Sequence, residues 1–255
     1  MFFTAALLTA SLLVSPSPDR INHVKADLLK GGLSKQETVA LFEDPRLKVI
    51  PIRKPELTWA ELEEKLLGKE GLANAKEFLK NNSSVLEKAE KQFGVQKEAI
   101  VALVGIESLW GENLGKDPAI LTLYSLLARA PEKRWRRWAH EFVELTLYCK
   151  NLGVDCFTIL GSRSGALSIV QFMPISIRLY GYDGDGDGKI DLSNNADAIF
   201  SAANFLVKHG WHKNKHRAFA RYVGSDGGYP KITKLLMKAL AQEQKQAQVA
   251  ASAHR

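Results

Sequence analysis

Apolar residues recur at helical spacing along almost the whole chain. Two helices open on capping boxes, Ser34-Lys35-Gln36-Glu37 and Thr58-Trp59-Ala60-Glu61. In each, the first hydroxyl and the fourth-residue carboxylate cap one another's backbone amides. Between them, Asp44-Pro45 and Lys48-Val49-Ile50-Pro51 read as an extended connection, because a residue before proline is pushed out of the helical region. Trp59 to Leu67 and Ala75 to Phe93 predict amphipathic helices, the second broken by Gly94. Arg134 to Tyr148 predicts another, rich in Trp and Arg. Ala196 to His209 predicts a helix that Gly210 stops. Tyr229 to Ala241 predicts the last. Beyond it, Gln242 to Arg255 is polar and lacks an apolar face, which predicts a frayed tail. No repeat is visible, and a short pair of strands is expected only at an acidic loop near residue 183. The expected fold class is all-α.

One helix carries no polar face. Ala99-Ile100-Val101-Ala102-Leu103-Val104-Gly105-Ile106 is uncharged until it reaches Glu107-Ser108-Leu109-Trp110-Gly111. A carboxyl ending such a run is drawn out of water, and burial favours its protonated form. That is what a general acid needs at neutral pH. A solvent-facing Glu in the last turn of a core helix is the plainer alternative.

Two further segments carry chemistry. Gly161-Ser162-Arg163-Ser164-Gly165-Ala166-Leu167-Ser168-Ile169-Val170-Gln171-Phe172-Met173-Pro174 is a small-residue loop, where glycine lets backbone approach a ligand closely. Gln171 can both donate and accept there. Asp183-Gly184-Asp185-Gly186-Asp187-Gly188-Lys189-Ile190 matches the first half of an EF-hand loop, with carboxylates at positions 1, 3 and 5, Gly at 6 and a carbonyl at 7. Its twelfth position is Asn194 instead of the usual bidentate Glu.

Together these segments resemble the B-type lytic murein transglycosylases, which cut bacterial peptidoglycan. Glu107-Ser108 matches the family's Glu-Ser/Thr signature, and the loop ending in Gln171-Phe172-Met173-Pro174 matches its second signature. The resemblance runs from about Lys80 to Leu240. It implies a lysozyme-like catalytic domain over 80–241 with a helical N-terminal extension over 19–79, an EF-hand-like loop over 183–197 and a flexible tail over 242–255.

The resemblance also implies roles. Glu107 is the catalytic acid and base. Among implied substrate-binding residues, Ser162 falls at the family Ser that bonds the catalytic carboxyl, Gln171 at the family Gln of the sugar groove, Tyr222 at a family Tyr-Asn pair or simply in the core, and Asn204 at a family position that also fits a structural role. Lys133 and Arg134 lie near a family pair of basic residues that would grip substrate carboxylates. Structural calcium is implied on Asp183, Asp185, Asp187, the Lys189 carbonyl and Asp197, since the family's loop closes on an Asp before Ala-Ile, matched by Asp197-Ala198-Ile199. No organic cofactor is implied. Val223 replaces a family Asn, Phe205 a frequent Tyr, and Ser168-Ile169-Val170 a more Gly-rich stretch.

Charge and ends add to the picture. The chain has 255 residues, 45% of them hydrophobic, with formal net charge +7 and an isoelectric point near 9.3. Such a balance favours an anionic partner. No nucleic-acid motif accompanies it, so an acidic polymer such as peptidoglycan is the expected partner, with surface solubility as the alternative; a monomer is expected. The apolar start, residues 1–14, is too short to span a membrane and reads as the core of a signal peptide ending near residue 18. No other segment is long and apolar enough to cross a bilayer. An exported, periplasmic location is therefore expected. Cys149 and Cys156 are the two cysteines; in an exported protein such neighbours often pair, while two reduced core thiols is the other reading.

One convincing carboxyl, Glu107, fits an intramolecular reaction better than ordinary hydrolysis, which places two carboxylates across the bond. The resemblance implies that Glu107 protonates the oxygen between N-acetylmuramic acid and N-acetylglucosamine, then takes the proton of the muramyl C6 hydroxyl as that hydroxyl closes to a 1,6-anhydro sugar. A lysozyme-type hydrolase and a non-catalytic cell-wall binding protein are the competing readings. A calcium sensor fits poorly, because a single loop is present.

Overall fold

The computed structural model describes residues 14–54, 57–223 and 231–242. The proposed signal peptide up to residue 13 and the tail from 243 lie outside the described residues. The chain is helical, as the periodicity predicts. Ser17 caps α1 (Pro18–Lys30) and Pro18 sits at its first position, where a missing N–H costs nothing. Both predicted capping boxes form, opening α2 (Lys35–Glu43) and α3 (Trp59–Leu67). The predicted helix from Ala75 to Phe93 is two helices, α4 (Lys69–Asn81) and α5 (Ser83–Phe93). Asn82 divides them. Its side chain donates to the Phe78 carbonyl at 2.9 Å, the local competition with helix bonding that makes Asn a terminator. The expected boundary between residues 79 and 80 thus falls inside α4.

α6 (Lys97–Ser108) is the central helix, with Ala99 to Ile106 all buried. A helix apolar on every side must be covered on every side. α3, α4, α5 and α10 (Asn195–Lys208) pack around it. A second group is built on α7 (Ala119–Arg129), which sequence periodicity left unmarked, and the long α8 (Trp135–Leu152). α1 and α9 (Pro174–Tyr180) pack against α8. α11 (Lys215–Val223) lies on α10, and residues 231–242 form a final helical segment.

The short strand pair is not at the acidic loop. β1 (Asp117–Pro118) pairs antiparallel with β2 (Leu160–Gly161). The acidic loop satisfies its amides with its own carboxylates and so needs no ladder. Cys149 near the end of α8 and Cys156 in the following 3-10 turn are joined in a disulfide, and both are buried. Among the described residues, no helix is long and apolar enough to cross a membrane.

Candidate active site

Glu107 stands in the last turn of α6, and the backbone immediately after it is unusual. Leu109 and Trp110 have φ of 51° and 57°, the left-handed region that side chains disfavour. Two such residues in succession turn the chain sharply back, and surrounding contacts must hold them there. Trp110 folds onto α6, its indole N–H donating to the Val101 carbonyl at 2.9 Å. Gly105 makes this possible, because a Cβ there would meet the Trp110 ring at 2.5 Å. Buried Ser108 completes the turn. Its hydroxyl lies 3.0 Å from the Val104 carbonyl and 2.8 Å from that of Ile169, and accepts the Gly111 N–H at 3.1 Å.

The result is a cleft of about 360 Å³ that Glu107 lines. Ile106 and Ser108 on either side are buried, while Glu107 itself is only half-buried. The sequence suggested deeper burial; the helix ends where the cleft begins, so its carboxyl faces the opening.

The small-residue loop forms the opposite wall. Ser162 and Gln171 both line the cleft. Ser162 Oγ accepts N–H groups from Ser164 at 3.3 Å and Ala166 at 3.1 Å, so its hydroxyl shapes its own loop. Leu167 and Phe172 bridge the loop's base, and Ser168 and Gln171 take φ of 64° and 48° to turn within it. Gln171 Nε2 donates to the Ser168 carbonyl at 2.9 Å. Below, Gly115 lies so close to Gly161 that a Cβ would fall 1.8 Å from the Gly161 carbonyl oxygen.

Tyr222 joins this assembly from α11. Its hydroxyl donates to the Val170 carbonyl at 2.7 Å, and its ring is held between Phe172 and Phe205. Phe205, where a hydroxyl was expected to be missing, serves as packing for that ring. Burial, followed by the negative charge of Glu107, pushes the Tyr222 phenol well above its usual range. Tyr222 is therefore a neutral donor within electrostatic reach of Glu107.

The basic rim differs from the expected one. Lys133 and Arg134 lie at the turn beyond the far end of α7, exposed and outside the cleft lining. Neighbouring Glu132 pairs with Arg20 of α1, and Trp135 packs under the same arginine. Arg53, Lys54, Lys116 and Arg163 line the cleft instead. Arg53 and Lys54 come from the Pro-marked connection, whose extended form was readable but whose path was not. Asn204 is also away from the cleft, donating to the Tyr180 carbonyl at 2.9 Å, which is a structural bond.

The one other carboxylate among the described lining residues is Asp117. Both of its oxygens are gripped by Arg53, at 2.6 and 3.0 Å. Glu112 faces Asn74 at 2.7 Å, outside the cleft lining. A larger cavity of about 750 Å³ lies between α8, α9 and the acidic loop. On its wall Arg178 is paired with Glu144, and Lys150 with Glu37.

One buried carboxyl escaped the sequence reading. Glu141 on α8 accepts the Ile175 N–H at 3.0 Å, in the first turn of α9. It thus anchors the exit of the Gln171 loop. A single Glu inside an amphipathic helix gives no sequence signal for this.

In the acidic loop, Asp183, Asp185 and Asp187 each place one oxygen within 4.8 Å of the others. Asp183 accepts the Gly186 and Gly188 amides at 2.6 and 2.8 Å, and the Gly188 bond leads in holding its carboxyl below the usual range. The Lys189 amide donates to Asp187 at 2.8 Å. Asn194 Nδ2 donates to Asp185. Asp197 does not join this trio. Its two oxygens accept the Gly184 and Asp191 amides at 2.8 and 2.6 Å, which makes it a brace across the loop. Three hard oxygens on a Gly-rich turn fit a calcium-type ion.

A family model described as the transglycosylase SLT domain matches residues 18–253. The chain belongs to this family. Membrane-bound lytic murein transglycosylase B of Escherichia coli (strain K12) is 32% identical over 169 residues, covering 66% of this chain and 46% of that protein. The chain thus spans about half the length of this curated relative. The soluble lytic transglycosylase SltB1 of Pseudomonas aeruginosa superposes with a TM-score of 0.78 at 22% identity, over 89% of this chain and 100% of that one. The Escherichia coli lytic transglycosylase Slt35, solved in complex with calcium, superposes with a TM-score of 0.75 at 20% identity, over 89% and 93%. The fold is therefore the lysozyme-like one of the SLT transglycosylases, as the resemblance implies.

Proposed function

We propose that this SLT-family protein is a lytic transglycosylase. It cleaves the β-1,4 bond between N-acetylmuramic acid and N-acetylglucosamine in peptidoglycan and leaves 1,6-anhydromuramoyl ends. The observation that carries the reading is the state of the two cleft carboxylates. Glu107 faces the opening, while Asp117 is held on both oxygens by Arg53. Hydrolysis needs a second carboxylate to activate water or attack carbon. A single carboxyl suffices when the nucleophile belongs to the substrate.

In this reaction Glu107 gives its proton to the glycosidic oxygen, and the C1–O bond breaks. The substrate's acetamido group bears the positive charge at the anomeric carbon. Glu107, now ionised, removes the proton of the muramyl C6 hydroxyl, and O6 bonds to C1. No water is consumed and Glu107 regains its proton. Tethering within one sugar replaces an intermolecular encounter, a large effective-concentration gain. Tyr222, Ser162 and Gln171 shape the sugar groove, and Lys54, Lys116 and Arg163 meet the carboxylates of lactyl and peptide groups, while Arg53 holds Asp117.

Calcium is proposed on Asp183, Asp185 and Asp187, with the Lys189 carbonyl as a further ligand. Bound there, the ion neutralises clustered charge and steadies the turn between α9 and α10. An exported protein in the bacterial envelope is the setting such a substrate requires.

The test is digestion of purified sacculi followed by mass spectrometry. Products lighter by one water than reducing-end muropeptides are expected, and Glu107→Gln should lower their release on the order of 10²–10⁴-fold while the protein stays folded. Reducing muramic acid ends from the wild-type chain would make it a lysozyme-type hydrolase. Undiminished release by Glu107→Gln would remove Glu107 from the chemistry.

A further inference from the structure

The contact between α1 and α8 holds a second group of metal-ligating side chains, remote from both the cleft and the acidic loop. His23 and Asp27 lie four residues apart on α1, hence on one face. One donor atom from each lies within 4.8 Å of a donor atom of His140 on α8, and of one another. His23 Nε2 and Asp27 Oδ2 are 3.3 Å apart. Neighbouring corners of a tetrahedron with bonds of ~2.0–2.1 Å stand about 3.3–3.4 Å apart, which is the ligand spacing of a zinc shell.

The imidazole nitrogen has an acidic neighbour but no hydrogen-bond partner. His23 Nε2 is shielded from solvent and makes no hydrogen bond; its approach to Asp27 fails on geometry. Burying a polar nitrogen without a partner is costly. The ring is held by Trp135, edge to face at 5.0 Å. Asp27 Oδ1 carries the Lys30 ammonium at 3.1 Å, so the carboxylate is already fixed with Oδ2 toward the histidine. His140 is on the exposed side, where water can supply a fourth ligand.

We propose that His23, Asp27 and His140 bind a zinc ion that fastens α1 to α8. Two imidazoles and one carboxylate form a borderline-soft donor set suited to zinc, unlike the all-oxygen acidic loop. The site is a clamp between helices. Nearby, Arg20 of α1 bonds the Leu127 carbonyl of α7 at 2.7 Å and Glu132 at 3.3 Å, and lies over the Trp135 ring of α8.

Titration calorimetry and thermal melting of the untagged, metal-stripped chain would test this, with calcium kept in excess throughout. Zinc should bind with a single equivalent and raise the melting temperature. His140→Ala, a change at an exposed side chain, should weaken zinc binding at least about tenfold, since even outer-shell losses cost that much. It should also cancel the melting shift, whereas Asp187→Ala should leave the shift intact. Cobalt in place of zinc should give the strong visible bands of tetrahedral coordination. Absence of a zinc-dependent shift in the wild-type chain, or an equal shift in His140→Ala, would overturn the proposal.

Discussion

The Ser108 hydroxyl lies 2.8 Å from the Ile169 carbonyl, a bond that crosses from the end of α6 to the opposite wall of the cleft. Ser108 immediately follows Glu107, and Ile169 lies two residues before Gln171. One buried hydroxyl therefore ties the helix end that carries the acid to the loop that carries the groove residue. It also accepts the Gly111 amide, so it stabilises the left-handed turn at Leu109 and Trp110. Position of the acid and strain of the turn thus share this hydroxyl as a support, beside the Trp110 indole bond to Val101.

Ser108→Ala removes that support. The Ile169 carbonyl and the Gly111 amide lose their partner, at a cost of about 1–3 kcal/mol in stability. Misplacement of a catalytic group by even ~1 Å can cost on the order of 10²-fold in rate. We expect kcat to fall by about tenfold or more on peptidoglycan while KM changes little, with the melting temperature lowered by a few degrees. Full kcat in the Ala variant would show that Glu107 is positioned without this bond.

Much of this was legible in the sequence, for physical reasons that also set the limit. The apolar run before Glu107 announces a fully covered helix, and the Ser34 and Thr58 caps are local, so they read correctly. Asn82 is local too, yet its break was hidden by apolar spacing that continues across it. Ser162 and Gln171 sit in one short loop, so one turn of chain brings both to the cleft that Glu107 lines, and Tyr222 reaches the same loop through Val170. Lys133 and Arg134 fail because a turn of loose register cannot be placed by spacing; α7 carries it away from the cleft. Arg53 and Glu141 act across 64 and 34 residues of chain, and nothing in their neighbours' identities points to Asp117 or Ile175.

For the acidic loop, removal of calcium should act on stability before rate. Asp183, Asp185 and Asp187 repel one another when ionised, and an ion that binds only the folded state stabilises it by about 2.7 kcal/mol at 100 times its dissociation constant. Chelation should lower the melting temperature, and calcium should restore it. Asp187→Ala should melt alike with and without calcium. Turnover at ambient temperature should change less than the melting point, since the loop is outside the cleft lining. Identical wild-type curves in chelator and in excess calcium would reduce the loop to an acidic turn.

Glu141 provides a prediction in pH. It is 4% exposed, and burial raises its carboxyl above the ordinary 4.5, a shift that the Ile175 amide and then Arg137 partly oppose. Proton counting gives the sign. Above about pH 4.5 the unfolded chain ionises this carboxyl first, while the folded chain still holds the proton, so the folded state binds more protons in that window. Its contribution to stability therefore falls as pH rises from the unfolded value to the folded one, and is constant beyond. Glu141→Gln can still accept the Ile175 N–H through its amide oxygen, but it has no proton to lose. The variant should be within about 1–2 kcal/mol of wild type at neutral pH, since one hydrogen bond to a charged group becomes a neutral one. Relative to wild type, it should gain stability as pH rises through the window just above 4.5. Denaturant midpoints of the two proteins, measured from mildly acidic to neutral pH, give this difference directly. A variant whose stability relative to wild type stays constant, or falls, as pH rises through that window would mean that Glu141 is ionised in the fold and held there by the α9 amide and Arg137.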